Sequence, residues 1–108
     1  DVSVKRKIIV NNKEYAMPRM DVDTYMEYLE LSEKIDGKPR YTRMDIEAML
    51  LFIVKAYGDQ FTVEELKDKD TGIDAAGIVL EFQFIDVGVA EEMEKRMEKM
   101  EKNFQSGK

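Results

Sequence analysis

Thr42-Arg43-Met44-Asp45-Ile46-Glu47-Ala48-Met49-Leu50-Leu51-Phe52-Ile53-Val54-Lys55-Ala56-Tyr57-Gly58 is the stretch whose reading decides the fold. Ile46, Met49, Leu50, Ile53, Val54 and Tyr57 recur at spacings of three and four, the period of one helix face. Leu51 and Phe52 add apolar surface around the cylinder, and a helix apolar on most sides is buried on most sides. Thr42 and Asp45 stand at capping-box spacing, and Gly58 ends the run. This helix is expected at the centre of the fold.

Upstream, the chain predicts a hairpin and then a helix. Val4, Ile8, Ile9 and Val10 favour a strand, Asn11-Asn12 is a two-residue turn signal that tolerates positive φ, and Lys13-Glu14-Tyr15-Ala16-Met17 returns. Pro18 closes the return strand, since it has no N–H to donate. Asp21 is the expected N-cap of the next helix, with Asp23 adding negative charge in its first turn. Val22, Tyr25, Met26 and Leu29 form its predicted apolar stripe, widened by Tyr28, Leu31 and Ile35. Gly37 suits a left-handed C-cap.

Downstream, Thr62 and Glu65 make a capping box for a short helix, with Phe61 and Leu66 at the positions of a hydrophobic staple. Lys67 to Gly72 is a polar loop. From Ile73 to about Phe104 the pattern is helical, with Val79, Phe82, Ile85, Val89, Met93, Met97, Met100 and Phe104 stepping by three or four. Gly88 is the expected place for a kink. Beyond it, a narrow methionine stripe runs along a heavily charged cylinder with attractive i,i+4 pairs at Glu91–Lys95, Glu92–Arg96 and Glu98–Lys102. The expected fold is therefore mainly α, an N-terminal β-hairpin followed by about four helices, the last one long. It is expected as a single domain over 1–108, with the hairpin at 1–18, a helical core at 21–88 and a charged C-terminal helix and tail at 89–108.

Composition narrows the chemistry. The 108 residues hold 17 Lys and Arg against 23 Asp and Glu, a net charge of −6, with no His, Cys or Trp. An imidazole base, a thiolate nucleophile and a zinc site of Cys/His type are thereby excluded. Excess acid argues against a general nucleic-acid binder. No apolar run reaches the length needed to span a bilayer. Asp68, Asp70 and Asp74 around Gly72 suggest calcium, but an EF-hand counted from Asp68 would need Gly where Ile73 stands and Glu where Val79 stands. Neither a cofactor nor a metal is expected. A small carboxylate-dependent metal enzyme is the alternative that the abundant acids leave open.

The methionine stripe is the most informative feature, because Met suits surfaces that repack against more than one partner. Phe61, Met93, Met97, Met100 and Phe104 are the candidate protein-contact residues. Two readings of the stripe stand side by side: docking into a partner's groove, or packing onto the domain's own core. Charge is also uneven. The first 20 residues carry five Lys and Arg against Asp1 and Glu14, so a basic hairpin edge on one copy can meet an acidic helical surface on another.

The opening Ile8-Ile9-Val10-Asn11-Asn12-Lys13-Glu14-Tyr15, the helix from Ile46 to Tyr57 and the following Asp59-Gln60-Phe61-Thr62-Val63-Glu64-Glu65-Leu66 resemble phage tail assembly chaperones. These are the type encoded before the tape-measure gene in long-tailed phages and prophages of Gram-positive bacteria. The resemblance runs from Lys7 to Leu66 and more weakly onward. It departs at Asn12, where the family often has Gly. It implies a non-enzymatic protein that binds the tape-measure protein, helps recruit tail-tube subunits and self-associates. It further implies action in the host cytoplasm and absence from the mature virion. A structural head–tail component of the particle is the rival assignment.

Overall fold

The computed structural model describes residues 6–106. Val4, read above as part of the hairpin, lies outside them. Strands β1 (Lys7–Val10) and β2 (Lys13–Ala16) pair antiparallel, with Ile8 opposite Tyr15 and Val10 opposite Lys13. Asn11 and Asn12 take φ of 55° and 63°, as a type I′ turn requires of both central residues. Ile8 and Val10 point into the core while Ile9, one residue out of phase, is exposed. A lone hairpin is marginal in water. Here the Asn11 N–H donates to the Thr71 carbonyl (2.8 Å) and the Gln60 amide to the Ala16 carbonyl (3.0 Å), tying both ends of the hairpin to the helical body.

Helices α1 (Val22–Ile35), α2 (Arg43–Ala56), α3 (Val63–Leu66) and α4 (Ala75–Ser106) follow. Their starts are set locally. The Asp21 carboxylate accepts from the Thr24 N–H, and Thr42/Asp45 and Thr62/Glu65 each close a reciprocal capping box. The backbone N–H of Thr42 and the Lys38 ammonium hold the Asp45 carboxyl below its ordinary pKa. Just past the end of α2 stands Gly58, whose φ of +73° and close approach to Pro18 (3.3 Å from an added Cβ) both favour glycine.

α2 is the hub, packed against α1, α3 and α4. Met49, Ile53 and Tyr57 are fully buried along it. Two aromatic clusters flank this axis. Tyr28 of α1, Phe52 of α2 and Phe82 of α4 meet with ring centroids 4.8 to 6.0 Å apart. On the other side Phe61 lies 5.2 Å from Tyr15 and 5.7 Å from Tyr57, beneath the hairpin.

Three expectations need correction. Of the expected α1 stripe, Val22, Met26 and Leu29 face solvent and only Tyr25 packs on the core, while Tyr28 and Ile35, expected to widen the stripe, are the residues fully drawn in. Apolar residues cover both sides of this helix, and the choice falls to Tyr28, which stacks in the aromatic cluster and donates its hydroxyl to the Phe82 carbonyl at 3.0 Å. α2 is buried over more than half of its circumference, but Leu51, expected to add to its buried surface, lies with Met44 on an open flank. At Gly88, the place expected for a kink, α4 continues as helix without a break. A glycine lowers helix propensity by about 1 kcal/mol, which a long hydrogen-bonded helix absorbs.

Candidate functional site

α4 is built in two parts. At its start the Asp74 carboxylate accepts from the Gly77 N–H at 2.9 Å, an N-cap on the positive end of the helix. Ile78, Phe82 and Ile85 then bury themselves against the core. Between them Glu81 is drawn inside, where Arg6 donates to it twice (2.9 and 3.0 Å) and the Tyr57 hydroxyl donates at 2.9 Å. A buried carboxylate is costly unless its oxygens are satisfied, and these donors satisfy them. Burial, followed by the Glu81 charge, pushes the Tyr57 phenol well above its ordinary pKa. Arg6 also lies over the Phe84 ring, 5.1 Å from its centroid.

This cluster uses part of the basic N-terminal stretch internally. Arg6 serves Glu81, Lys7 pairs with Glu14 at 3.7 Å, and Lys13 sits over the Tyr15 ring.

Past Gly88 the same helix leaves the core. Its 32 residues amount to about 48 Å of helix, in a molecule whose longest extent is 56 Å. Met93, Met97, Met100 and Phe104 are 59, 63, 70 and 74 % exposed. At 100° per residue they fall within about 60° of arc, so they form one continuous ridge. Arg96 donates to Glu92 at 2.9 Å along the flank of that ridge.

Phe61 is separated from these four. It is 3 % exposed and sits with Leu66 in the core cluster, as a staple residue does. Its part in partner contact is therefore indirect, through the hairpin it supports.

Sequence reasoning missed a second exposed set on α4. Leu80, Phe84 and Val87 lie on the side opposite the buried residues. Their i, i+4, i+7 spacing was the available signal, masked by the stronger stripe of buried residues.

In the acid-rich loop one carboxylate caps its own backbone. Asp68 accepts from the N–H groups of Asp70 and Thr71 (2.9 and 3.0 Å), which holds its pKa down. Gly72 is needed where the loop closes, because an added Cβ would lie 2.4 Å from the Leu66 carbonyl oxygen. No group of three or more Asp or Glu suited to a metal ion is found among the described residues. None of the described helices is long and apolar enough to cross a membrane.

A compact helical body with open concavities, bearing a long helix with an uncovered apolar ridge, has the form of a protein-binding module. The family model for phage tail chaperone proteins matches residues 2–106, and the chain belongs to that family. The family implies protein partners in tail assembly. No curated protein and no solved structure matches the chain.

Proposed function

We propose that this tail chaperone works without catalysis, by holding amphipathic helical segments of a tape-measure protein on the ridge of Met93, Met97, Met100 and Phe104. In this reading it keeps that long client from aggregating and helps recruit tail-tube subunits to it. It does so as a homo-oligomer in the host cytoplasm, for a long-tailed phage or prophage of Gram-positive bacteria, and is absent from the finished virion. The observation that carries the reading is the exposure of the ridge. Four large apolar side chains on one face of a highly charged helix suit a surface that covers another apolar helix. Unbranched methionines adapt to the varied side chains that such a client presents.

Co-expression with a tape-measure fragment tests it. The wild-type chain is expected to keep the fragment soluble and to co-purify with it, while Met97→Glu combined with Met100→Glu releases it to the pellet. Full solubility and co-purification with the double variant would overturn the ridge as the client surface. Mass spectrometry of purified virions tests the transient role, because a stoichiometric amount of the chain there would make it a structural component.

A further inference from the structure

Strand β1 has one paired edge and one open edge. Val10 opposite Lys13 and Ile8 opposite Tyr15 turn their N–H and C=O groups towards β2, and the Met17 N–H reaches the Arg6 carbonyl at 2.8 Å. In an antiparallel pair such residues alternate with ones whose groups point the other way. Lys7 and Ile9 therefore direct their N–H and C=O groups outward, where they have no backbone partner among the described residues. β2 differs, because its outward Ala16 carbonyl accepts from Gln60 at 3.0 Å. Open edges are commonly guarded by charge. Here Lys7 is the one charged residue of β1, and the apolar Ile9 beside it is 63 % exposed.

Two anchors lay β1 along the first half of α4. Arg6 holds Glu81, and the Asn11 N–H holds the Thr71 carbonyl just ahead of the helix, so strand and helix run in opposite senses. Moving round α4 from Glu81, away from the buried Ile78, Phe82 and Ile85, Phe84 comes after about 60° and Leu80 after about 100°. Both are exposed, and Gly77 and Val87 on the same flank add no charge. Leu80 and Phe84 stand about 6 Å apart along the helix axis, and alternate residues of a strand about 6.6 Å apart. A strand laid on the outer edge of β1 thus sets successive inward side chains over Leu80 and Phe84 while its backbone meets Lys7 and Ile9. A helix on this flank would cover the side chains and leave the four backbone groups unmet.

Charge selects further. The carboxylate nearest Lys7 is Glu14 at 3.7 Å, beyond hydrogen-bond distance, with both side chains more than half exposed, so the ammonium keeps donors for another acid. Arg6, Lys7 and Lys13 against Glu14 and the facing Glu81 leave this corner positive by one in a chain of net charge −6.

We propose that the outer edge of β1 receives an extended segment of a partner protein as a third strand, apolar at the alternate positions over Leu80 and Phe84 and acidic where it passes Lys7. The site is separate from the methionine ridge, so it goes beyond the client reading and stands whether or not that reading holds.

The probe is a short capped peptide with valine at every second position, threonine between and one central glutamate. It is added to the full-length chain and followed by amide hydrogen exchange in NMR. At about ten times its Kd it should slow exchange of the Lys7 and Ile9 amides about tenfold, while Ile8 and Val10, already bonded to β2, keep their rates. N-methylating one alternate set of the peptide nitrogens should abolish the protection, and methylating the other set should leave it. Leu80→Glu, checked for wild-type helix content by circular dichroism, should bind at least about tenfold more weakly, the effect of about 1.4 kcal/mol. Lys7→Gln should weaken binding less, and Met97→Glu should bind as the wild type does. Unchanged Lys7 and Ile9 exchange at about 1 mM peptide, undiminished binding by Leu80→Glu, or the same result from both methylated peptides would overturn the proposal. So would loss of binding in Met97→Glu, which puts the peptide on the ridge. Protection of Ile9 that grows with protein concentration and needs no peptide would also overturn it, since a second copy then holds the edge.

Discussion

From Ile78 to Ile85 and again from Met93 to Phe104, α4 repeats apolar residues at spacings of three and four. The first set is at most 3 % exposed and the second is 59 to 74 % exposed. One helix therefore contains a core element and an uncovered ridge, joined through Gly88. The two sets lie on nearly the same side of the cylinder, so the ridge extends the core-facing stripe beyond the end of the body. What differs is the neighbours: Tyr28, Phe52 and Tyr57 stand near the first set, and the described body has ended before the second. Periodicity thus reports which side of a helix is apolar, and leaves open whether anything arrives to cover it.

The largest effect that would sharpen this contrast is truncation in the buried half. Phe82→Ala removes a ring shared with Tyr28 and Phe52, and urea unfolding should show a loss of about 3–5 kcal/mol. Met97→Ala, at the same kind of position in the other half, should stay within about 0.5 kcal/mol of the wild type. Equal losses would break the comparison.

Next comes Glu81→Gln. It takes the counter-charge from Arg6 but leaves an acceptor for Tyr57, and because the Arg6 side chain is 33 % exposed and can rehydrate, the expected loss is about 1–3 kcal/mol. Gly88→Ala should act in the opposite direction. Nothing lies within 4 Å of the added Cβ, so thermal unfolding should show a gain of about 1 kcal/mol as the joint between the halves stiffens.

A smaller effect separates the halves by pH. The lowered carboxyl of Asp45 belongs to the body, where it caps α2. A carboxyl whose folded pKa is depressed contributes stability above its unfolded value, near 3.9, and that contribution fades as pH falls through the folded value. Urea midpoints should therefore drop between about pH 5 and pH 2, and Asp45→Asn should lower the midpoint at neutral pH and flatten part of the acid slope. An unchanged slope in that variant would remove Asp45 from the account.

Much of the fold was legible because its decisive signals are local. Asn11-Asn12, Asp21, Thr42/Asp45 and Thr62/Glu65 act on backbone groups within a few residues, and each sits in the predicted role. The candidate surface was legible in part. The methionine ridge follows from spacing and the buried place of Phe61 from its staple position, whereas the open face of Val22, Met26 and Leu29 depends on partners distant in sequence.

By itself, the sequence determined the order and kind of the elements, the caps that start the helices and the apolar side of α4. The tertiary structure decided which of two apolar sides of α1 is buried, that Arg6 crosses 75 positions to neutralise Glu81, and where along α4 the core stops. The division has one physical cause. Capping and helical period are settled by atoms a turn apart, while burial is settled by whichever surfaces the chain brings together, and α4 is longer than the body available to cover it.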